Sequence, residues 1–358
     1  MKGFGRMKFG LTSGLLWGLD TVVLGIGLSM SPFIGTAEAI AFAAIASAAL
    51  HDIFCAIWLL IYMGVRGRLG DTLAALKTRS GKAVILGALL GGPIGMTGYV
   101  IAINNIGAGY TAIISSFYPA VGAFLAFVFL KERMAPKQFV ALLAALAGII
   151  VMGYVSSGES ELGNPILGLF GALLCVLGWG SEAVICAWGM RDDAVDNETA
   201  LQIRETTSAL VYAIAVLPLF GAWGFTAAVV PSLATGVVGL AALAGTVSYL
   251  FYYKSISSPI GAAKSMALNI SYSAWAVLFA LGCGCVAAGH RGFERIDMRV
   301  VQVLHGDAGE QGLVAAESLH RFGVIDAVPC KHCRLIVRHG LTLLRAFCRA
   351  PPLRGARP

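Results

Sequence analysis

Charge is scarce in this sequence, and that scarcity excludes an ordinary soluble domain. Only 13% of the 358 residues are charged, whereas 58% are hydrophobic and the mean hydropathy is +0.80. Soluble domains carry about 25% charged and about 45–50% apolar residues. A helix needs about 20 apolar residues to cross the core of a bilayer, and such runs recur over residues 9–282. The sequence therefore predicts an all-α polytopic membrane protein whose surroundings are a lipid bilayer.

Signatures of several other protein classes are also missing. There is no glycine-rich loop ending in Gly-Lys-Ser or Gly-Lys-Thr to cradle a nucleotide phosphate. The membrane part holds no credible Ser-His-Asp or metal-ligand cluster, so we expect no enzyme, no metal site and no cofactor. Cys330, Cys333, His332 and His339 are too irregularly spaced to predict a zinc site. No short leader with a small-residue cleavage site precedes the first apolar run, so we expect no removable signal peptide.

Nine apolar stretches predict nine membrane helices. Basic residues are absent from the odd-numbered loops, and thirteen of the fifteen before position 281 lie at the N-terminus or in even-numbered loops. The positive-inside rule then places the N-terminus of this multi-pass protein in the cytoplasm. The same rule accounts for the net charge of +7, so we expect no nucleic-acid partner. The predicted helices cover residues 9–30, 40–64, 82–104, 109–130, 136–155, 165–189, 199–220, 233–254 and 259–281.

The composition changes after about residue 281. Residues 281–358 contain no Trp, Tyr or Asn, but they hold five of the six His and five of the eight Cys. They contain no apolar run long enough to span. Eleven basic and six acidic residues give this tail a charge of +5, and nine helices would place it outside the cell, against the charge rule. We interpret residues 283–358 as the product of a shifted reading frame that replaced a tenth helix. A disordered tail is the alternative.

An internal repeat relates the two halves of the chain. Trp17 and Asp20 have the same spacing as Trp179 and Glu182, and the segment around Tyr118 has the pattern of a segment near residue 272. The predicted units are a five-helix repeat at 1–155 and a second repeat at 165–282. An odd number of helices per unit makes the copies inverted, which predicts a ten-helix (5+5) transporter with its substrate site between the halves.

The repeat also selects candidate site residues. An acid turned toward lipid costs at least about 2.5–3.5 kcal/mol, so Asp20 and Glu182 should face a central cavity. An aromatic residue three positions away shares the helical face of each acid. The alternative is that Glu182 pairs with Arg204, although the predicted depths of these two residues match poorly. The candidate substrate-binding residues are Trp17, Asp20, Tyr118, Trp179, Glu182, Tyr272 and Trp275.

His51 and Asp52 stand near the middle of the second predicted helix. Adjacent helical residues point about 100° apart, so we do not expect both to line one narrow site. One of them is a candidate to bind substrate or to relay a proton, because histidine titrates near neutral pH. A polar pair that only packs between helices is the alternative.

Several stretches resemble known transporters. Residues 117–153 resemble the end of a first repeat in drug/metabolite transporters of the EamA type. Four segments resemble bacterial choline transporters of the LicB type, and the resemblance covers about residues 10–281. It implies ten helices in two inverted repeats, choline uptake, and Trp179, Glu182, Tyr272 and Trp275 as site residues. The four segments are GALLGGPIGM (87–96), WGSEAV (179–184), IRETTSALVY (203–212) and AAKSMALNISYSAW (262–275).

The residue types agree with a cationic substrate. Choline has no N–H donors, and aromatic faces hold such a cation at about 0.5–2 kcal/mol each. We therefore expect import of choline or a similar quaternary-ammonium cation, driven by the membrane potential with or without protons. The alternative is an exporter of amino acids or other metabolites, for which Arg204 or Lys264 would supply the basic partner. A purely structural or regulatory role is disfavoured by the repeat, and homodimerisation stays open.

Overall fold

The computed structural model describes residues 4–133, 164–191 and 195–272, together with positions 136, 140, 143, 147, 275, 276, 278 and 279. Every regular element in these ranges is a helix. The predicted fifth helix (136–155) falls almost wholly outside the described residues, and the tail from 283 does so completely.

The α-helices are α1 Phe4–Leu28, α2 Ala37–Val65, α3 Leu69–Ala75, α4 Arg79–Leu89, α5 Thr97–Ser115, α6 Tyr118–Leu130, α7 Pro165–Gly189, α8 Asn197–Val211, α9 Leu217–Leu219, α10 Trp223–Val229, α11 Leu233–Ile256 and α12 Gly261–Asn269. Two π-helical segments, Leu90–Met96 and Tyr212–Val216, continue α4 and α8.

The prediction of a helical, membrane-spanning chain is confirmed. Within the described residues, six helices are long and apolar enough to cross a bilayer. The continuous stretch from Asn197 to Leu219 is also long, but Glu198, Arg204 and Glu205 make it more polar than the other spans. The six are Met7–Leu28, Ala37–Val65, Arg79–Gly107, Ile113–Leu130, Pro165–Gly189 and Leu233–Ile256.

The third span, Arg79–Gly107, departs from α-helical geometry around Pro93 and ends at Gly107. Pro93 has no N–H to donate to the helical ladder, and it lies inside the π-helix Leu90–Met96. Gly107 then leaves the helical region with φ 79° and ψ 162°, a backbone conformation that favours glycine. The break at Gly107 falls where the sequence places the third loop.

Small residues allow close helix packing between two of the spans. A Cβ atom on Gly98 would lie 2.6 Å from the carbonyl oxygen of Gly171, and one on Gly171 would lie 2.5 Å from that of Gly98. Helices α5 and α7 therefore touch backbone to backbone, as membrane helices do at small residues. Helix α11 packs against α1, α2, α7 and α8. These four helices carry the buried charges.

Candidate functional site

Two buried acid–base pairs lie at the centre of the helices. Asp20 on α1 contacts His51 on α2, with 3.0 Å between Oδ1 and Nε2. Glu182 on α7 accepts a hydrogen bond from Nε of Arg204 on α8 at 2.8 Å. Asp20, His51 and Arg204 are each less than 10% exposed. Each pair thus joins two successive long helices of the chain.

Further polar contacts connect the two pairs into one cluster. His51 Nδ1 lies 3.7 Å from Asp52 Oδ1, and Arg204 Nη1 lies 3.6 Å from Asp52 Oδ2. Ser208 donates a hydrogen bond to Asp52 Oδ2 at 2.5 Å. Arg204 Nη1 also lies 2.9 Å from Glu205 Oε2. We call this cluster the central polar network; its members are Asp20, His51, Asp52, Glu182, Arg204, Glu205 and Ser208.

The two halves of the chain supply equivalent parts of the network. The first half supplies an acid from α1 and the adjacent pair His51–Asp52 from α2. The second half supplies an acid from α7 and the adjacent pair Arg204–Glu205 from α8. In both halves the basic member of the adjacent pair contacts the acid of the preceding long helix. In this respect the contacts between α1 and α2 resemble those between α7 and α8.

Glu205 is the least satisfied member of the network. Its side chain is fully buried, and neither carboxylate oxygen has a hydrogen-bond partner among the described residues. The 2.9 Å contact with Arg204 brings the charges together but does not have hydrogen-bond geometry. A buried carboxylate with no hydrogen bond is costly, so Glu205 is poised to interact with a further cation or proton.

Negative charge is in excess in the network. Four carboxylates, those of Asp20, Asp52, Glu182 and Glu205, face one guanidinium and one imidazole. Uncompensated charge in a low-dielectric interior is strongly unfavourable. The arrangement therefore suits a cationic ligand and disfavours an anionic one.

Aromatic rings border the network on one side. Trp17 packs edge-to-face on Tyr249 with ring centroids 4.6 Å apart, and on Tyr272 at 6.2 Å. The Arg204 guanidinium lies over the Tyr249 ring, 5.0 Å from its centroid. Tyr253, one helical turn from Tyr249, donates to Glu182 Oε1 at 3.4 Å. The protein thus already holds one organic cation between an aromatic face and a carboxylate.

Trp179 belongs to a second aromatic group. Its ring lies 5.4 Å from that of Tyr99 and 5.7 Å from that of Tyr118. Trp275 lies against α1, where a Cβ on Gly18 would come 2.7 Å from the Cβ of Trp275. Trp179 and Tyr249 both pack against the buried cluster that contains Tyr118 and Tyr253, so this group adjoins the first one.

Glycines of the π-helix Leu90–Met96 lie directly against polar side chains of the network. A Cβ atom on Gly91 would lie 1.6 Å from Glu182 Oε2, and one on Gly92 would lie 2.2 Å from Ser208 Oγ. Any larger residue would displace the polar group opposite. The glycines of this segment therefore leave the space that Glu182 and Ser208 occupy.

Two sequence-based expectations are corrected by this geometry. Arg204 and Glu182 do meet, although their predicted depths matched poorly, because the long Arg204 side chain brings its Nε within 2.8 Å of Glu182 Oε1. His51 and Asp52 both belong to one network, since the imidazole bridges Asp20 and Asp52 through its two nitrogens. Although His51 and Asp52 point in different directions from α2, their side chains are long enough to meet in the same network.

Several members of the site were not predicted from the sequence. Glu205 had a visible signal, because it is a second acid inside a predicted membrane helix. No sequence signal distinguishes the other four from residues that only pack: Ser208, Tyr99, Tyr249 and Tyr253. Lys264 is not among the members of the network; it lines a cavity at the ends of α6, α7 and α11.

Comparison with known proteins gives a family match for the first part of the chain. Residues 7–154 match the model of the EamA-like transporter family. The EamA match is to transporters, not to enzymes. The chain is also 31% identical over 195 residues to Protein LicB of Haemophilus influenzae (strain ATCC 51907 / DSM 11121 / KW20 / Rd). That alignment covers 54% of this chain and 63% of LicB, so it spans less than two thirds of the relative.

The fold also has a counterpart among solved structures. One crystal structure aligns with a TM-score of 0.56 and covers 85% of this chain and 95% of its own. The sequence identity is 19%, so this likeness shows the fold alone.

Proposed function

We propose that the chain imports choline or a similar quaternary-ammonium cation across the bacterial inner membrane. The observation that carries the proposal is the excess of carboxylates in the central polar network. A quaternary ammonium needs no hydrogen-bond acceptor, only negative charge and aromatic faces. Glu182, Trp17 and Tyr249 provide these within one connected group. The similarity to LicB is consistent with this substrate class.

Arg204 occupies the position that an entering cation needs. Its guanidinium is bound by Glu182 and lies over the Tyr249 ring. A substrate cation competes with it for both partners, and Arg204 then moves toward Asp52 or Glu205, which lie 3.6 and 2.9 Å from Nη1. Charge in the network stays partly neutralised throughout, so binding requires no bare carboxylate.

Alternating access follows from the repeat. The halves at 1–155 and 165–282 rock against each other as inverted units, and the site lies between them. The N-terminus is cytoplasmic in this arrangement. Entry of one positive charge gains about 2.3 kcal/mol per 100 mV in a negative cell. His51 and Asp52, linked to both halves of the network, are the candidates for moving a proton.

The decisive measurement is radiolabelled choline binding to the purified chain. Glu182→Gln keeps an acceptor for Arg204 but removes a charge, and we expect it to weaken binding by about 1–3 kcal/mol at an intermediate dielectric. Glu38→Gln removes an exposed acid at the start of α2 and is the matched control. Normal choline binding by Glu182→Gln contradicts the proposed site.

The metabolite exporter is tested in the same assay. A zwitterionic amino acid should not compete for choline binding if the site is specific for a cation. The exporter would be established instead by two results together. The unmodified chain would bind no choline but would transport an amino acid, and Arg204→Gln would abolish that transport.

A further inference from the structure

A cavity lies away from the central polar network, at the ends of three helices. It has a volume of about 430 Å³ and is lined by residues that follow α6, end α7 and connect α11 to α12. These segments are the fourth, sixth and eighth loops of the sequence analysis, the side predicted to face the cytoplasm. The transport site does not account for this cavity.

Basic side chains dominate its polar lining. Arg133, Arg191 and Lys264 contribute three positive charges against the single carboxylate of Glu132. Arg191 is fixed in place, because it donates to the carbonyl oxygen of Leu130 at 2.8 Å. Among the described residues, Lys264 forms no ion pair or hydrogen bond. Its ammonium is therefore available to a ligand.

The one acid of the cavity is already engaged. Glu132 accepts hydrogen bonds from the backbone N–H groups of Ala262 and Ala263, at 3.0 and 3.1 Å, in the first turn of α12. Negative charge is favoured at a helix N-terminus. A Cβ on Gly261 would lie 2.5 Å from the Glu132 carboxyl carbon, so the glycine admits this contact. The carboxylate is held by the helix and offsets the three basic residues only in part.

The remaining lining is apolar, with Ile256, Pro259 and Ile260 among its members. A cavity with surplus positive charge, hydrophobic walls and a place at the basic ends of membrane helices fits a phosphate ester. Clusters of basic residues at such a position attract anionic lipid headgroups. A free phosphate ester offers the same chemistry.

We propose that this cavity binds a phosphate ester, with Arg191 and Lys264 as its principal ligands. The site joins segments from both halves of the chain, so an occupant would hold their ends together. The proposal does not depend on choline transport, because it concerns a different set of residues and a different ligand charge.

The test is native mass spectrometry of the full-length protein in detergent. One arm adds dioctanoylphosphatidylglycerol, with dioctanoylphosphatidylcholine as the zwitterionic comparison; the other adds glycerol 3-phosphate. We expect saturable binding of one anion. Each of Arg191→Gln and Lys264→Gln should weaken it about fivefold, the ratio for about 1 kcal/mol per basic residue.

Lys254→Gln is the control, because Lys254 is an exposed basic residue on the same side that lies over the Phe9 ring, not in the cavity. Binding of only the lipid assigns the site to a headgroup, and binding of only glycerol 3-phosphate assigns it to a soluble ester. Equal binding of the two lipids, or no weakening by either substitution beyond that of Lys254→Gln, overturns the proposal. Lys264→Gln leaves the Arg191–Leu130 contact intact, so it remains informative if Arg191→Gln fails to fold.

Discussion

Arg204 donates a hydrogen bond to Glu182 across 2.8 Å, and the same guanidinium lies over the ring of Tyr249. One positive side chain therefore uses both kinds of contact that a bound organic cation requires. The Asp20–His51 contact in the first half is its counterpart. The difference is that a histidine can lose its charge near neutral pH, whereas an arginine cannot.

Removing Arg204 should destabilise the protein strongly. Breaking a buried ion pair by deleting one partner costs about 3–5 kcal/mol, and Arg204→Gln leaves three contacting carboxylates without their guanidinium. Thermal unfolding in detergent measures the loss. Adding Glu205→Gln to Arg204→Gln should restore part of it, because one buried charge is removed. Arg79→Gln, at an exposed arginine over the Trp188 ring, is the control; an equally large loss there would contradict the assignment.

The aromatic face of Trp17 should contribute more to choline binding than the volume of the side chain does. Trp17→Phe keeps an aromatic face beside Tyr249 and should weaken choline binding less than Trp17→Ala, which we expect to cost about 1–2 kcal/mol. Trp179→Phe and Trp179→Ala should follow the same order. Equilibrium binding of labelled choline distinguishes the variants. Trp188→Ala, at a half-exposed ring, should bind normally, and an equal effect of all three alanine variants would argue against a cation site.

Gly91→Ala should damage the site by steric overlap with Glu182. Its Cβ would lie 1.6 Å from Oε2, so the carboxylate must leave Arg204, and we expect loss of choline binding together with a lower melting temperature. Gly236→Ala is the matched control on α11, where a Cβ meets nothing within 4 Å. That substitution should be neutral or stabilise the helix by up to about 1 kcal/mol. Normal binding by Gly91→Ala would show that Glu182 does not need its present position.

A polar cluster at the start of α8 should weaken in acid. Arg68 contacts Asp196 and Glu198, and Asp196 caps α8 by accepting from the backbone N–H groups of Glu198 and Thr199. Desolvation raises the pKa of the Asp196 carboxyl, but the hydrogen bonds from Thr199 and Arg68 outweigh it, so the pKa is lowered overall.

The sign of the pH effect follows from that lowered pKa. Stabilisation is fully present above the pKa of an unfolded aspartate, about 3.9, and is lost as the pH falls below it. The difference in melting temperature between the unmodified chain and Asp196→Asn should therefore shrink between about pH 6 and about pH 3. A difference that stays constant across this range would mean that the charge of Asp196 contributes nothing.

The orientation in the membrane can be tested with single cysteines. In a background without native cysteines, Ser29→Cys and Val230→Cys should react with an impermeant thiol reagent added outside intact cells. Leu73→Cys, on the exposed face of α3, should react only after the cells are permeabilised. The reverse pattern would place the N-terminus outside.

The sequence by itself determined the class of protein and most of its spans. Long apolar runs separated by charged loops have no stable alternative to membrane helices, since every backbone polar group must be satisfied within the bilayer. The breaks near Gly107 and the start of α7 at Asn164–Pro165 follow from local chemistry, because glycine, a capping side chain and proline act on their own segment. Asp20 and Glu182 were also identified from sequence, because a carboxylate in an apolar helix is conspicuous.

Only the tertiary structure decided which partners these acids have. Glu182 meets Arg204, and Asp20 meets His51, because α11 packs against all four of the helices that carry these residues. Contacts between residues 22 and 31 positions apart depend on helix rotation and on the reach of long side chains, which periodicity does not encode. The closeness of Gly91 to Glu182 also depends on how the helices pack. The sequence shows that Gly91 has no side chain, but only the structure shows that Glu182 occupies the space a side chain would need.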